Sequence, residues 1–121
     1  MGKLTRFEDL ECWKAARILS KEVFLSSRNG DLGKDWDTRS QFRRAAVSTI
    51  NNIAEGFGRF SNKEKIRFFE ICVASANEVK SMLYLFEDID YYEKNKLMEL
   101  HAMVDKVHNL TLGFIKYLSN K

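Results

Sequence analysis

Apolar side chains recur every three or four residues through long stretches of this chain, and no proline interrupts them. At about 100° per residue, this spacing brings the apolar positions onto one side of a helix. The period-two alternation of a half-buried strand is not found. The sequence therefore predicts an all-α fold. The chain is organised around the stretch Gln41–Glu64, whose apolar side consists of Phe42, Ala45, Ala46, Thr49, Ile50, Ile53 and Phe57.

Four such stretches divide the chain, and they predict helices at about residues 6–28, 37–57, 62–89 and 92–119. The apolar stripe of the last one alternates steps of three and four, which is typical of helices that pack at a small angle. Long helices joined by short connections turn back along one another. We therefore expect a single domain over residues 1–121, an up-down-up-down antiparallel four-helix bundle with one core.

Residues that start and stop helices lie at the predicted junctions. Thr5–Glu8 and Ser61–Glu64 have the spacing of a capping box, in which a hydroxyl and a carboxylate bond the free amides of a helix start. Gly56 and Gly58 are expected to stop the second helix, since glycine adopts the left-handed cap conformation without steric cost.

Further candidate caps are aspartates. Asp35 or Asp37 is expected to cap the second helix. Asp88–Tyr92 is expected to form the last turn after the third helix, with Asp90 as a candidate cap. The connection before the second helix is polar and short, and we expect Trp36 at its end to cover one end of the bundle.

Positive charge is concentrated around the second junction. Seven basic and two acidic residues lie between Arg39 and Arg67, so this segment has a net charge of +5 and the rest of the chain −2, within an overall charge of +3. Clustered positive charge attracts polyanions, whereas dispersed charge mainly confers solubility. The distribution favours an anionic partner.

No stretch of the sequence predicts a membrane or secretory segment. No apolar run approaches the roughly 18 residues that a membrane span needs, and the N-terminus lacks the apolar segment of a signal peptide. We therefore expect a cytoplasmic protein. Cys12 and Cys72 have neither metal-ligand spacing nor a secretory context, so reduced, partly buried thiols are expected.

Candidate catalytic and metal-binding residues are few. His101, Asp105 and His108 share one side of the last helix, but a di-iron bundle needs two carboxylate-x-x-histidine units and further glutamates. We interpret these residues as a solvated polar edge. No serine or cysteine lies beside a histidine, and the Gly56–Arg59 segment is interpreted as a helix stop. We expect no enzyme activity, metal, cofactor or small-molecule substrate.

Several motifs resemble those of one family. They are R-R-A-A-V-S at Arg43–Ser48, N-I-A-E-G at Asn52–Gly56, Arg59, S-x-x-E at Ser75–Glu78, and F-x-D-L-x-x-W at Phe7–Trp13. Together they resemble the four-helix-bundle family encoded in intervening sequences of bacterial 23S ribosomal RNA genes. The resemblance covers nearly the whole chain, with departures at Thr49, Cys72 and Ala74. It implies a ring-like homopentamer, and the apolar surplus at Phe60 and Phe68 also favours self-association.

Two functional hypotheses follow. In the first, the bundle binds RNA through a basic surface around the hairpin of the second and third helices, formed by Arg39, Arg43, Arg44, Arg59, Lys63 and Arg67. Unpaired bases would stack on exposed aromatic side chains, for which Phe60, Tyr91 and Tyr92 are candidates.

In the second hypothesis the protein is an oligomeric scaffold, and Arg44, Asn52, Glu55 and Arg59 contact a neighbouring subunit or a protein partner. A related family, the accessory protein of diversity-generating retroelements, resembles the same bundle. That resemblance implies both RNA binding and a scaffold role. The signature residues assigned to either role are Ser48, Asn52, Glu55 and Gly56. A charged, solvated face without a partner remains a third interpretation.

Overall fold

The structure, a computed structural model, describes residues 4–121, and the first three residues of the predicted domain lie outside this range. A 3-10 helix at Phe7–Asp9 precedes five α-helices. No strand occurs between residues 4 and 121, so the all-α prediction is confirmed. The helices are α1 (Glu11–Ser26), α2 (Gly30–Lys34), α3 (Trp36–Phe57), α4 (Asn62–Asp88) and α5 (Lys94–Ser119).

The start of the first helix differs from the prediction. The chain becomes extended at Leu10 (φ −72°, ψ 130°), and α1 begins only at Glu11, without a side-chain cap. The predicted Thr5–Glu8 capping box is therefore wrong. Burial explains the break: Leu10 enters the core, and the Phe7 ring packs against Trp13 with the ring centroids 5.3 Å apart.

The connection before α3 contains the short helix α2, which the sequence analysis missed. Gly30 has a φ of +71°, which suits glycine, and it begins a helix that places Leu32 in the core at 1% exposure. The prediction that Trp36 covers the end of the bundle is wrong, because its side chain is 68% exposed. The predicted Asp35 cap is confirmed, since its carboxylate accepts a hydrogen bond from the amide of Thr38 (3.3 Å).

Neither glycine at the second junction is a left-handed cap, and Gly56 acts through close packing. Gly56 lies inside α3 and Gly58 has a φ of −79°, so the predicted left-handed cap is wrong. A Cβ on Gly56 would lie 2.9 Å from Phe68 Cβ and 2.9 Å from Phe69 Cε1. The missing side chain therefore lets α4 approach α3 closely.

Two predicted caps lie at the ends of α4. The Ser61–Glu64 capping box is confirmed, since the amide of Glu64 donates to Ser61 Oγ (3.1 Å). Asp90 lies in the cap that ends α4: it takes a φ of +58°, and the amide of Tyr91 donates to the Phe86 carbonyl (2.9 Å). The last helix, α5, begins at Lys94 without a side-chain cap.

Each of the four long helices packs against two others. The pairs are α1 with α3, α3 with α4, α4 with α5, and α5 with α1. The apolar side chains between them are fully buried, and the rings of Phe42 and Phe86 meet edge to face at 4.9 Å. None of the helices within residues 4–121 combines the length and the apolar character needed to cross a membrane.

Both cysteines lie in this core and are free. Burial raises the pKa of Cys12 to about 11 and that of Cys72 to about 12. Cys72 Sγ lies 3.6 Å from Thr111 Oγ1, within hydrogen-bond distance for sulfur. The thiols are therefore protonated and unreactive at neutral pH.

We expect the Gly56→Ala variant to be destabilised by about 1–2 kcal/mol. Overpacking costs about 1–3 kcal/mol, and the higher helix propensity of alanine offsets up to about 1 kcal/mol of this cost. The matched control is Gly113→Ala in α5, where an added Cβ meets nothing within 4 Å. That variant should be more stable than the parent. Urea unfolding measures both, and a stabilised Gly56→Ala variant would contradict the close approach of α3 and α4.

Candidate nucleic-acid interface

One of the predicted signature residues, Ser48, bonds α3 to α4, and a second, Asn52, supports it from within α3. Ser48 Oγ and Ser75 Oγ lie 2.7 Å apart, and Asn52 Nδ2 donates to the Ser48 carbonyl (2.8 Å) and to Ser48 Oγ (3.0 Å). Ser75 is buried, and Ser48 and Asn52 are half-buried. These residues therefore lie at the edge of the core. Their hydrogen bonds set the register of the two helices.

Arg44 lies one turn before this cluster, at the edge of a groove between the two helices. The groove is lined by Asp37, Gln41, Arg44, Ala45, Ser48, Ser75 and Glu78. The Arg44 side chain is exposed and forms neither a hydrogen bond nor an ion pair within residues 4–121. Its guanidinium is therefore free to bind an anion.

The junction of α3 and α4 holds three further cations of the predicted surface. Arg59 Nη2 pairs with Glu55 Oε2 (3.0 Å), and its guanidinium lies over the Phe68 ring at 4.5 Å. Lys63 and Arg67 are exposed and, like Arg44, have no partner among the described residues. We call Arg44, Arg59, Lys63 and Arg67 the hairpin patch. Glu55 neutralises part of its charge, although an exposed pair of this kind contributes at most about 1 kcal/mol.

The structure does not bring Arg39 and Arg43 to this patch. Arg39 Nη1 donates to the Gly33 carbonyl (2.9 Å) at the end of α2. Arg43 donates from Nε to Ser27 Oγ (2.9 Å) and from Nη2 to the Phe24 carbonyl (3.1 Å), both at the end of α1. Because adjacent residues of a helix point about 100° apart, Arg43 faces α1 while Arg44 faces α4. The predicted basic surface is therefore divided between two sides of α3.

Arg28, at the end of α1, belongs with this second group. The pKa of Arg43 is lowered by burial and then by the positive charges of Arg39 and Arg28. We call Arg28, Arg39 and Arg43 the arginine corner. Sequence reasoning missed Arg28, because only the packing of α1 against α3 brings it close to the other two.

Of the three aromatic side chains suggested for base stacking, one is accessible. Phe60 is 100% exposed. Tyr91 and Tyr92 instead pack against Phe86, with Tyr92 Oη 2.7 Å from Ser26 Oγ. The hydroxyl of Tyr91 donates to Asp35 Oδ2 (2.6 Å), and this bond lowers the pKa of Asp35 and raises that of Tyr91.

A lysine of α4 contacts the side of α5 that carries His101 and Asp105. Lys80 Nζ lies 2.7 Å from Asp105 Oδ1 and 3.2 Å from His101 Nδ1. The pKa of His101 is lowered by burial and then by Lys80. Within residues 4–121 no group of three or more histidine, cysteine or carboxylate side chains has the geometry of a metal site.

Comparison with known proteins identifies relatives of the chain. Residues 8–113 match the model of the family described as 23S rRNA-intervening sequence protein. Among solved structures, the chain is similar to a protein with unknown function from the S23 ribosomal protein family from Bacteroides thetaiotaomicron. The TM-score is 0.79 at 20% sequence identity, over 87% of this chain and 95% of that chain, which shows a common fold. No curated protein matches the chain.

The opposite orientations of Arg43 and Arg44 predict different effects on stability. Arg43→Gln should destabilise the protein by about 1–3 kcal/mol, since it leaves the buried Ser27 hydroxyl and a helix-terminal carbonyl without their charged donor. Arg44→Gln, one residue along, should stay within about 0.5 kcal/mol of the parent. Thermal unfolding followed by circular dichroism measures both. Equal losses would mean that Arg43 does not anchor α1.

Proposed function

Because the chain belongs to the 23S rRNA-intervening sequence protein family, we propose that it is a non-enzymatic, cytoplasmic helical protein that binds RNA. Ribosomal RNA is the first candidate, given the family's description. The binding surface is the hairpin patch. All four of its residues lie within the stretch that matches the family model.

The observation that carries this proposal is the set of unpaired cations around the α3–α4 hairpin. Arg44, Lys63 and Arg67 are exposed and have no partner within residues 4–121. An RNA backbone would neutralise them and release condensed counterions, which is the main source of affinity in binding without sequence preference. Arg59 would exchange its ion pair with the exposed Glu55 carboxylate for a contact with a phosphate, at little cost in free energy.

We also propose that the four long helices form an up-down-up-down antiparallel bundle. Contacts between α3 and α4 and between α4 and α5 support it. Lys65 Nζ donates to the Phe57 carbonyl (2.8 Å) near the junction of α3 and α4, and Ser48 meets Ser75 farther from it. The start of α4 meets the end of α5, where Asn62 Nδ2 donates to the Leu118 carbonyl (3.4 Å). This geometry would place the hairpin patch along one side and one end of the bundle.

The alternative function is a homo-oligomeric scaffold, for which the resemblance suggests a pentamer. The favouring observation is apolar exposure beside the hairpin patch: Phe60 is 100% exposed, and Ile71 is 46% exposed in a shallow groove shared with Arg59 and Arg67. Exposed apolar groups grouped with arginine are typical of interface centres. A subunit contact here would cover half of the hairpin patch.

The RNA proposal is tested by the dependence of affinity on salt. Removing the three unpaired charges with Arg44→Gln, Lys63→Gln and Arg67→Gln should weaken binding of structured RNA and reduce the slope of log affinity against log salt by about two. The matched control removes the same charge from α5, with Lys94→Gln, Lys106→Gln and Lys116→Gln, all at exposed positions. Fluorescence anisotropy gives the slopes. If both triple variants have the same slope, the hairpin patch is not the RNA surface.

The scaffold proposal is tested by the mass of the protein in solution. A double variant, Phe60→Ser with Ile71→Ser, should dissociate the assembly, because both apolar groups would be buried in the contact. Met98→Ser in α5, which removes another exposed apolar side chain, should leave the mass unchanged. Size-exclusion chromatography with light scattering measures the masses. A monomeric parent protein at micromolar concentration would refute self-association.

A further inference from the structure

We propose that the arginine corner, together with Trp36, binds one unpaired nucleotide, with the base stacked on Trp36 and the phosphate held by the guanidinium groups. This inference rests on the proposed RNA binding and adds a second contact, on the other side of α3 from the hairpin patch. A single-stranded segment of RNA would supply the nucleotide.

Trp36 lies beside the arginines because of its position on α3. Residues three and seven positions apart share one face of a helix, so Trp36 lies over the same face as Arg39 and Arg43. Its side chain is 68% exposed, and it makes no hydrogen bond or aromatic pair with the described residues. A large apolar ring is therefore presented to solvent on the face of α3 that carries Arg39 and Arg43.

The arginine corner has no carboxylate partner within residues 4–121. The two acidic residues closest to it along α3 are directed elsewhere: Asp35 bonds Tyr91 and Thr38, and Asp37 lines the groove between α3 and α4. No carboxylate among the described residues therefore forms an ion pair with the corner.

Neutral acceptors hold two of the three guanidinium groups in position. Arg39 bonds the Gly33 carbonyl, and Arg43 bonds the Phe24 carbonyl and Ser27 Oγ while it covers the Phe24 ring at 4.8 Å. Each guanidinium keeps N–H groups that these bonds do not use. A ligand would meet donors that are already ordered, which lowers the entropic cost of binding.

Mutual repulsion within the corner favours an anion. Arg28 and Arg39 both act on Arg43 as like charges. A phosphate between them would relieve this repulsion and accept short, charge-assisted hydrogen bonds. Paired bases in a duplex are already stacked on their neighbours, whereas an unpaired base can stack on an exposed indole. The combination therefore favours an unpaired nucleotide over a duplex.

Fluorescence of Trp36 tests the site directly. In a Trp13→Phe background, Trp36 is the sole tryptophan. A short single-stranded oligoadenylate should quench its emission on binding, while a duplex RNA of equal length should bind without comparable quenching. Quenching by the duplex to the same extent would overturn the assignment to an unpaired nucleotide.

Affinity measurements on variants of the parent protein complete the test. Trp36→Ala should weaken binding of the single strand about tenfold, the usual effect of losing one stacked base. Arg28→Gln should weaken it as well, and Tyr117→Ala, which removes an exposed aromatic ring from α5, should not. Circular dichroism checks that each variant is folded.

The outcomes separate the two proposals. If the single strand binds without quenching and Trp36→Ala binds as well as the parent, the nucleotide site is overturned and RNA binding through the hairpin patch stands. If neither single-stranded nor duplex RNA binds, both proposals are overturned.

Discussion

The close approach of α3 and α4 is the constraint on which the position of every charged side chain of the hairpin depends. Gly56 leaves room for Phe68 and Phe69, and the Ser48–Ser75 hydrogen bond fixes the two helices along their length. Since a helix is rigid, this contact also sets the rotation of α3. Side chains one turn from the contact therefore have a defined direction, and the exposed guanidinium of Arg44 is a consequence of packing elsewhere on the helix.

The same rotation gives neighbouring arginines different tasks. Arg43 is turned toward α1, where it bonds the Phe24 carbonyl in the last turn and covers the Phe24 ring. A cation at a helix C-terminus also interacts favourably with the helix dipole. Its contribution to stability therefore does not depend on a ligand, although its remaining N–H groups stay available to one. Arg44 has no such structural task, so its charge is the better probe of binding alone.

The sequence predicted what depends on local pattern and missed what depends on tertiary contact. The bounds of α3, α4 and α5 follow from apolar periodicity, and the Ser61 and Asp35 caps follow from local chemistry. The break at Leu10 and the helix α2 could not be predicted, because both arise from burying a leucine against distant helices. Gly56 was misinterpreted for the same reason: a glycine near a helix end usually indicates a cap, and only the partner helix reveals a close approach. The division of the basic surface also depends on how α3 is rotated against its neighbouring helices. The positions of the six basic residues in the sequence do not specify that rotation.

That division makes self-association compatible with RNA binding through the arginine corner. A subunit contact centred on Phe60 and Ile71 would lie on the α4 side of α3 and would cover Arg59 and Arg67. The arginine corner and Trp36 lie on the other side, beside the end of α1 and the short helix α2. An assembly formed through the α4 side would thus leave one corner per subunit open to solvent. Several weak nucleotide sites held in one assembly bind a single strand far more tightly than one site does, because each further contact is intramolecular. Self-association would then strengthen RNA binding through the corner while it competes with binding through the hairpin patch.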